Sequence, residues 1–398
     1  MTRRWPLPVA AVCAALFWAG CGSTDDAASP EPPVTVDEPS DTTLPDTSTT
    51  SVDSRAPEPT GESAPSERDV SFDSLSGEFS LEGTLTVPAG EGPFPGVVLV
   101  SGSLSQDRDE TVGTKQPFLV LADGLARHGI AVLRFDDRGA GQSEGEPVEL
   151  SDATTLDLAD DAQAAAEFLA LQPEIDEERV GLLGHSEGAL HASIVANRSD
   201  VLAWVVLAAG SGVPGAEVIV TQTAAGLRSE GASEETVDWA VEAREDLIDA
   251  ALSDLDQPDY ESEVRAITEA AFAASPPGVV PTDPSELSDQ IEQNVFVFAL
   301  PWMRYFIGYD PAPALRALSV PVLAVQGSLD VQAVADVNIP ATEQALADNP
   351  DATVVVLDGL NHIFQEANTG AVSEYESLDD PFADEAIELI ADWISANT

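Results

Sequence analysis

The stretch Val180-Gly181-Leu182-Leu183-Gly184-His185-Ser186-Glu187-Gly188-Ala189-Leu190-His191 decides how this chain folds. An apolar run enters Gly-x-Ser-x-Gly and passes directly into helix-forming residues. That pattern predicts a strand, a sharp turn and a helix, with Ser186 at the apex. Gly184 and Gly188 flank the turn, where a Cβ would meet the crossing backbone. The Ser186 Oγ is then held out at the strand end, and the amides that open the helix face any anion forming beside it. A second match, Gly141-Gln142-Ser143-Glu144-Gly145, sits differently. It follows the polar loop Asp136-Asp137-Arg138-Gly139-Ala140, and Pro147 follows soon after, so no helix starts there and Ser143 reads as part of a glycine-rich turn.

Outward from the elbow, apolar runs recur. Val70–Phe72 and Phe79–Val87 alternate like antiparallel strands. Val97–Val100, Ala131–Leu133, Val180–Leu183, Val205–Leu207, Val322–Val325 and Val354–Leu357 are apolar throughout, as strands covered on both faces are. Helical runs lie between them: Pro117–His128, Leu156–Leu171, Ala189–Asn197, Ala341–Ala347 and Asp384–Ile394. The alternation predicts an α/β fold with a mainly parallel, doubly wound sheet of about eight strands. Ligands of such sheets bind at the carboxyl ends of the strands. Between the sixth and seventh strands, about 212–316, no strand pattern is present. Glu234–Leu252, Tyr260–Ala273 and Glu286–Phe298 read as helices, with a break at Pro276, Pro277, Pro281 and Pro284. This predicts a helical lid. Its apolar seam is Phe296, Phe298, Leu300, Trp302, Met303, Tyr305 and Phe306, residues that packing against the core would also explain.

The chain carries 71 acidic residues against 16 basic ones, a formal charge of −55, and Lys115 is its one lysine. Such a surface repels nucleic acid and anionic lipid heads, and is read as a solubility device for salty surroundings that screen its self-repulsion. Arg3 and Arg4 precede a mostly apolar run, Trp5–Ala19, too short for a confident membrane span. It ends in Phe17-Trp18-Ala19-Gly20-Cys21, which resembles a bacterial lipoprotein signal with Cys21 as the lipidated residue; ordinary secretion is the alternative. Residues 1–21 are thus read as signal and lipobox. Residues 22–68, rich in Ser, Thr, Pro and acids, are read as a disordered spacer with a reach of roughly 40 Å. The expected location is the outer face of the cell membrane. The folded domain is 69–398. Cys13 falls within the signal, which leaves Cys21 without a disulfide partner.

A serine needs a base. Of four histidines, His128 lies at the amino end of a strand, His185 belongs to the elbow with its side chain directed away from Oγ, and His191 lies in the following helix. His362, in the loop Asp358-Gly359-Leu360-Asn361-His362 after the last strand, is the candidate. Asp330, just past the seventh strand, is the candidate carboxylate, with Asp358 as its rival. An oxyanion needs two donors. The amide of Glu187 is one, and the loop Ser101-Gly102-Ser103-Leu104 after the third strand supplies the other, Ser103 first and Leu104 second. Arg108 and Arg138 are candidates to brace this loop through Asp107 or Asp136. No metal cluster, phosphate loop or dinucleotide motif is visible, so no cofactor is expected.

Together these blocks resemble a bacterial α/β-hydrolase family of carboxylesterases with a serine aminopeptidase-like domain. The resemblance rests on Ser101-Gly102-Ser103 with Gln106-Asp107-Arg108-Asp109-Glu110, on Phe135-Asp136-Asp137-Arg138-Gly139, and on Gly184-His185-Ser186-Glu187-Gly188. Pro301-Trp302-Met303-Arg304-Tyr305-Phe306, Tyr309-Asp310-Pro311 and Leu360-Asn361-His362-Ile363-Phe364-Gln365 extend it. The chain order Ser186, Asp330, His362 is the order of that fold. The resemblance implies esterase activity on short or medium acyl esters, with those three residues as the triad. Leu104-Ser105 departs from it, standing where Gly-Pro is commoner. A peptidase or amidase with the same triad, and a non-catalytic binding lipoprotein on the same fold, are the rival readings.

Overall fold

The computed structural model describes residues 64–398. Cys21 and the spacer up to residue 63 lie outside the described residues. Eight strands form one sheet: β1 (Ser66–Asp73), β2 (Ser80–Val87), β3 (Phe94–Val100), β4 (Ala131–Phe135), β5 (Ile175–His185), β6 (Trp204–Ala208), β7 (Val322–Gly327) and β8 (Ala352–Leu357). Their order is β1-β2-β4-β3-β5-β6-β7-β8. β1 and β2 are antiparallel to their neighbours, and β3 to β8 run parallel. The sheet is the one that the apolar runs predict. β1 starts at Ser66, ahead of the boundary at residue 69.

Helices cover both faces. On one, α1 (Pro117–Arg127) packs Phe118, Leu121 and Leu125 against Val97, Leu99 and Val132. On the other, α2 (Thr155–Ala170) and α3 (Gly188–Ala196) approach the strands closely through Ala159, Ala162, Ala165, Ala166 and Ala192. α2 starts at a capping box, in which Thr154 and Asp157 satisfy each other's end of the helix.

The segment between β6 and β7 is a helical insertion. It holds α4 (Gly215–Ser229), α5 (Glu234–Ala251), α6 (Gln257–Ala273), α7 (Pro284–Ala299), α8 (Pro301–Gly308) and α9 (Ala312–Ala317). Its apolar centre, including Tyr260, Val264, Phe298, Trp302 and Met303, is continuous with Leu104 and Leu190 of the main domain. The chain ends with α10 (Ala335–Leu346) and α11 (Asp384–Ala396). The sequence pattern starts α10 only at Ala341, because Pro340 breaks helices. The helix nevertheless starts at Ala335. Asn338 ties its first turn down, accepting from the Gly212 amide at 2.9 Å and donating to the Val334 carbonyl at 3.1 Å.

β5 has room for an indole from its neighbour. A Cβ on Gly181 would stand 2.3 Å from the Trp204 ring, which is fully buried. Gly181→Ala is therefore expected to lower stability by about 1–3 kcal/mol through overpacking. An unchanged denaturation midpoint would show that the indole does not lie across this strand.

Candidate active site

β5 ends in a turn that only this sequence permits. Ser186 has φ 56°, a left-handed conformation rare for a residue with a side chain. A Cβ on Gly184 would lie 2.0 Å from the Gly188 carbonyl oxygen, and one on Gly188 would lie 2.3 Å from the Val100 carbonyl oxygen. Both glycines are thus required by the crossing of β5, β3 and α3. The Ser186 amide donates to the Ala208 carbonyl at 2.9 Å, which fastens the turn to β6.

The loops after β7 and β8 bring two more side chains to Ser186. The His362 Nε2 lies 3.1 Å from the Ser186 Oγ, and its Nδ1 lies 2.8 Å from the Asp330 Oδ2. Asp330 is held in turn. Its Oδ1 accepts the amides of Gln332 at 2.8 Å and Ala333 at 2.9 Å, and its Oδ2 also accepts from the Gln326 side chain at 3.0 Å. Asp330 and His362 are both buried. The geometry suits proton transfer from hydroxyl to imidazole, with the carboxylate fixing the ring. The loop after β3 closes against the same serine: a Cβ on Gly102 would sit 3.2 Å from the Ser186 Cβ. Among the described residues, the amides of Ser103 and Glu187 meet no acceptor, and both residues line the cleft in front of Ser186. Leu104, the second choice for a donor, takes φ 67° and buries its side chain in the core of the insertion.

The rival residues go elsewhere. Asp358 accepts from the Ser328 hydroxyl at 3.0 Å and holds the turn after β8. His128 lies at the exposed end of α1. The Ser143 hydroxyl donates to the Asp136 carbonyl at 2.6 Å and accepts the Glu82 amide at 2.9 Å, as a turn residue does. Arg108 braces the loop after β3, pairing with Asp136 at 2.7 Å. Arg138 does not. It turns to α2 instead, pairing with Asp161 at 2.6 Å and donating to the Asp157 carbonyl at 2.7 Å. Asp107 accepts only from its own loop, at the amides of Asp109 and Thr111 and the Thr111 hydroxyl.

A family model described as the alpha/beta hydrolase family matches residues 97–374. The chain belongs to the alpha/beta hydrolase family. Esterase EstD of Thermotoga maritima is 28% identical over 322 residues, which cover 79% of this chain and 65% of that protein. An uncharacterized protein of Mycobacterium tuberculosis is 33% identical over 137 residues, covering 34% of this chain and 43% of its own length. The chain thus spans less than two thirds of the length of these curated relatives. Alpha/beta hydrolase GrgF from Penicillium sp. sh18 superposes with a TM-score of 0.52 at 17% identity, over 83% of this chain and 99% of that one. A Pyrococcus furiosus esterase superposes with a TM-score of 0.50 at 15% identity, over 83% and 91%. At such identities the structural likeness concerns the fold.

Two buried networks in this alpha/beta hydrolase escaped the sequence reading. The first centres on His185. Its Nδ1 lies 2.8 Å from the Glu110 Oε1, and its Nε2 lies 2.9 Å from the carbonyl oxygen of His362. Burial works to strip its proton, but the Glu110 carboxylate and the His362 carbonyl outweigh burial and raise its pKa above the ordinary value. Both ring nitrogens thus face oxygen acceptors. Glu110 Oε1 also accepts the Gly102 amide at 2.9 Å. One imidazole ring therefore ties the loop carrying Ser103 to the loop carrying His362. The sequence offered a weak sign: an elbow histidine pointing into the core needs a partner, and Glu110 lies in the loop that must pass it.

The second network is the side chain of Glu187. It accepts the Thr155 hydroxyl at 2.6 Å and the Trp302 indole N–H at 3.0 Å, with the His191 Nε2 at 3.6 Å. Burial pushes its carboxyl up, yet His191 and the two donors hold it below the ordinary range. Trp302 thereby docks α8 on the elbow. The cleft in front of Ser186, about 1000 Å³, is walled by Val218, Ile219 and Gln222 of α4 and by Trp302, Met303 and Phe306 of α8. The predicted apolar seam divides. Those three α8 residues reach the cleft, Phe298 and Leu300 pack inside the insertion, and Phe296 is exposed.

Asp137 clamps the loop after β3. Its Oδ2 accepts the Ser101 hydroxyl at 2.6 Å and the Gln106 amide at 2.9 Å. Burial pushes its carboxyl from 3.8 up to about 8, against the pull of those two donors and with help from the nearby charges of Asp161 and Glu110. A carboxyl raised on folding supports stability fully below its unfolded pKa and loses that support as pH climbs through the folded value. Stability should therefore decline from 3.8 to about 8 through this group, and Asp137→Asn should flatten that decline. Parallel pH curves of the urea midpoint for the two proteins would rule this out.

Proposed function

We propose that the protein is a serine hydrolase that cleaves carboxylic esters through an acyl-enzyme intermediate. The observation that carries this is the hydrogen-bonded chain from Asp330 through His362 to Ser186, at 2.8 and 3.1 Å. As the Ser186 Oγ attacks the ester carbonyl, the His362 Nε2 takes its proton and the Nδ1–H donates to Asp330, whose charge stabilises the imidazolium. The amides of Ser103 and Glu187 donate to the carbonyl oxygen as it becomes an oxyanion. His362 then gives its proton to the departing alkoxide, and the ester C–O bond breaks. A water, deprotonated by His362, attacks the acyl carbonyl, releases the acid and restores the Ser186 hydroxyl.

Esters are favoured over aminopeptidase substrates by the fate of the carboxylates. A free amino terminus needs an available anion, and the acidic residues lining the cleft are Glu110 and Glu187. Both are engaged by protein donors, Glu110 by Gly102 and His185 and Glu187 by Thr155 and Trp302. The rest of the wall is largely apolar, including Val218, Ile219, Met303 and Ile363, and suits an acyl chain. The relative named esterase EstD agrees with this reading.

Ser186→Ala is expected to lower kcat on short nitrophenyl esters by about 10⁴–10⁶-fold and to abolish labelling by a fluorophosphonate. Labelling that persists in the variant would reject Ser186 as nucleophile. Cleavage of aminoacyl anilides without ester cleavage would reverse the substrate ranking.

We further propose that the enzyme is exported and tethered by a lipid on Cys21, with the chain from 22 to about 65, short of β1, as its spacer. Cells fed a labelled fatty acid should incorporate it into the wild type and not into Cys21→Ser, which should appear in the medium. An unlabelled wild type would favour plain secretion.

A further inference from the structure

The helical insertion buries a positive charge that no described residue balances. Arg244, on α5, is 8% exposed in a chain where carboxylates outnumber bases several-fold. The other buried arginine, Arg134, sits on Asp109 and Glu67, and the half-buried Arg108 and Arg138 sit on Asp136 and Asp161. Arg244 has no ion pair among the described residues. Its Nη1 donates to the Asn294 side-chain oxygen at 3.2 Å, its Nε has no acceptor, and its guanidinium lies 4.8 Å from the centre of the Phe298 ring. Ring and amide each soften the charge, but neither neutralises it.

The guanidinium borders a cavity. A narrow, partly open space runs between α4, α5, α6 and α7, lined by Arg244, Thr223, Trp239, Thr268, Phe272 and Asn294 among others. The polar neighbours are already committed. The hydroxyls of Thr223 and Thr268 donate to carbonyls of their own helices at 2.7 and 2.8 Å, the Trp239 indole donates to the Ala271 carbonyl at 2.9 Å, and the Asn294 amide donates to Gln290 at 3.1 Å. The guanidinium is therefore the free donor of the cavity, and the other walls are apolar. Burial lowers its pKa only to about 10, so it remains charged at neutral pH.

We propose that this cavity is a binding site for one small monovalent anion, a halide or a short carboxylate such as formate or acetate, held by Arg244. A single negative charge completes the pairing that the described residues leave open. A divalent anion would leave one charge uncompensated among apolar side chains, and a large anion would have to part the helices. The site is distinct from the Ser186 cleft but shares a wall with it: on α4, Gln222 faces the cleft and Thr223 the anion cavity.

The test is thermal melting of the whole protein at fixed sodium concentration, with gluconate as the bulky reference anion and chloride, bromide or formate in its place. A ligand bound only by the folded state raises Tm and saturates. The wild type should melt about 2 °C or more higher in at least one small anion than in gluconate. The arm with the larger shift tells a halide from a carboxylate. Arg244→Met should melt at one temperature in all four salts. Equal wild-type melting in every salt, or an equal anion effect in the variant, overturns the proposal. If the variant does not fold, bromide-soaked crystals of the wild type replace it, with an anomalous peak expected against the Arg244 guanidinium. A cavity without that peak overturns the proposal as well. Activity is not the readout, so the site stands or falls separately from the esterase reading.

Discussion

The left-handed backbone at Ser186 is the constraint on which the site depends. At φ 56° it is a conformation that costs on the order of 1–3 kcal/mol for a residue with a side chain. It persists because two neighbouring strands and a helix oppose its relaxation. β6 accepts the Ser186 amide, β3 passes so close that position 188 has no space for a Cβ, and α3 sits directly on Gly184. A turn held this way aims one hydroxyl out of the sheet, and the loops after β7 and β8 need only reach the same rim.

Below that hydroxyl the protein spends buried charge, which is costly unless each group is paired. His185 is the hub, with a carboxylate on one ring nitrogen and the backbone of the His362 loop on the other. Asp330 has four donors, so its orientation relative to His362 is set by several independent parts of the chain. Such satisfied networks hold geometry more firmly than apolar packing, because every rotation breaks a bond that water cannot replace.

What could be read in the sequence, and what could not, follows the range of the forces involved. The sheet was legible because strands covered on both faces must be apolar throughout, and six apolar runs stand out, five of them in buried strands and the sixth in the partly covered edge strand β8. Ser186, Asp330 and His362 were legible because each directly follows a strand, and the structure brings them together. Glu110 was not: one carboxylate among 71 carries no signal until tertiary contact picks out the His185 beside it. Arg138 was assigned to the wrong partner for the same reason, since Asp161 reaches it from α2. α4 escaped because Gly215, Gly226 and the run Val218-Ile219-Val220 are poor helix formers. Packing overrides that preference, as the backbone of Gly215 lies against the Phe306 carbonyl, where a Cβ would stand 2.0 Å away.

The indole of Trp302 makes the roof of the cleft asymmetric. Lifting α8 would take the indole N–H from the buried Glu187 carboxylate, a loss of about 1.5–3 kcal/mol for a hydrogen bond to a charged group, while Thr155 keeps its own bond to Glu187. On the other side α4 and the turn at Val372–Ser377 meet the cleft through Gln222, Val372 and Tyr375, and there the Ser373 hydroxyl donates to the Glu230 carboxylate at 2.8 Å. The indole therefore couples the α8 wall to the very residue that follows the nucleophile, so a shift of that wall is felt at the elbow itself.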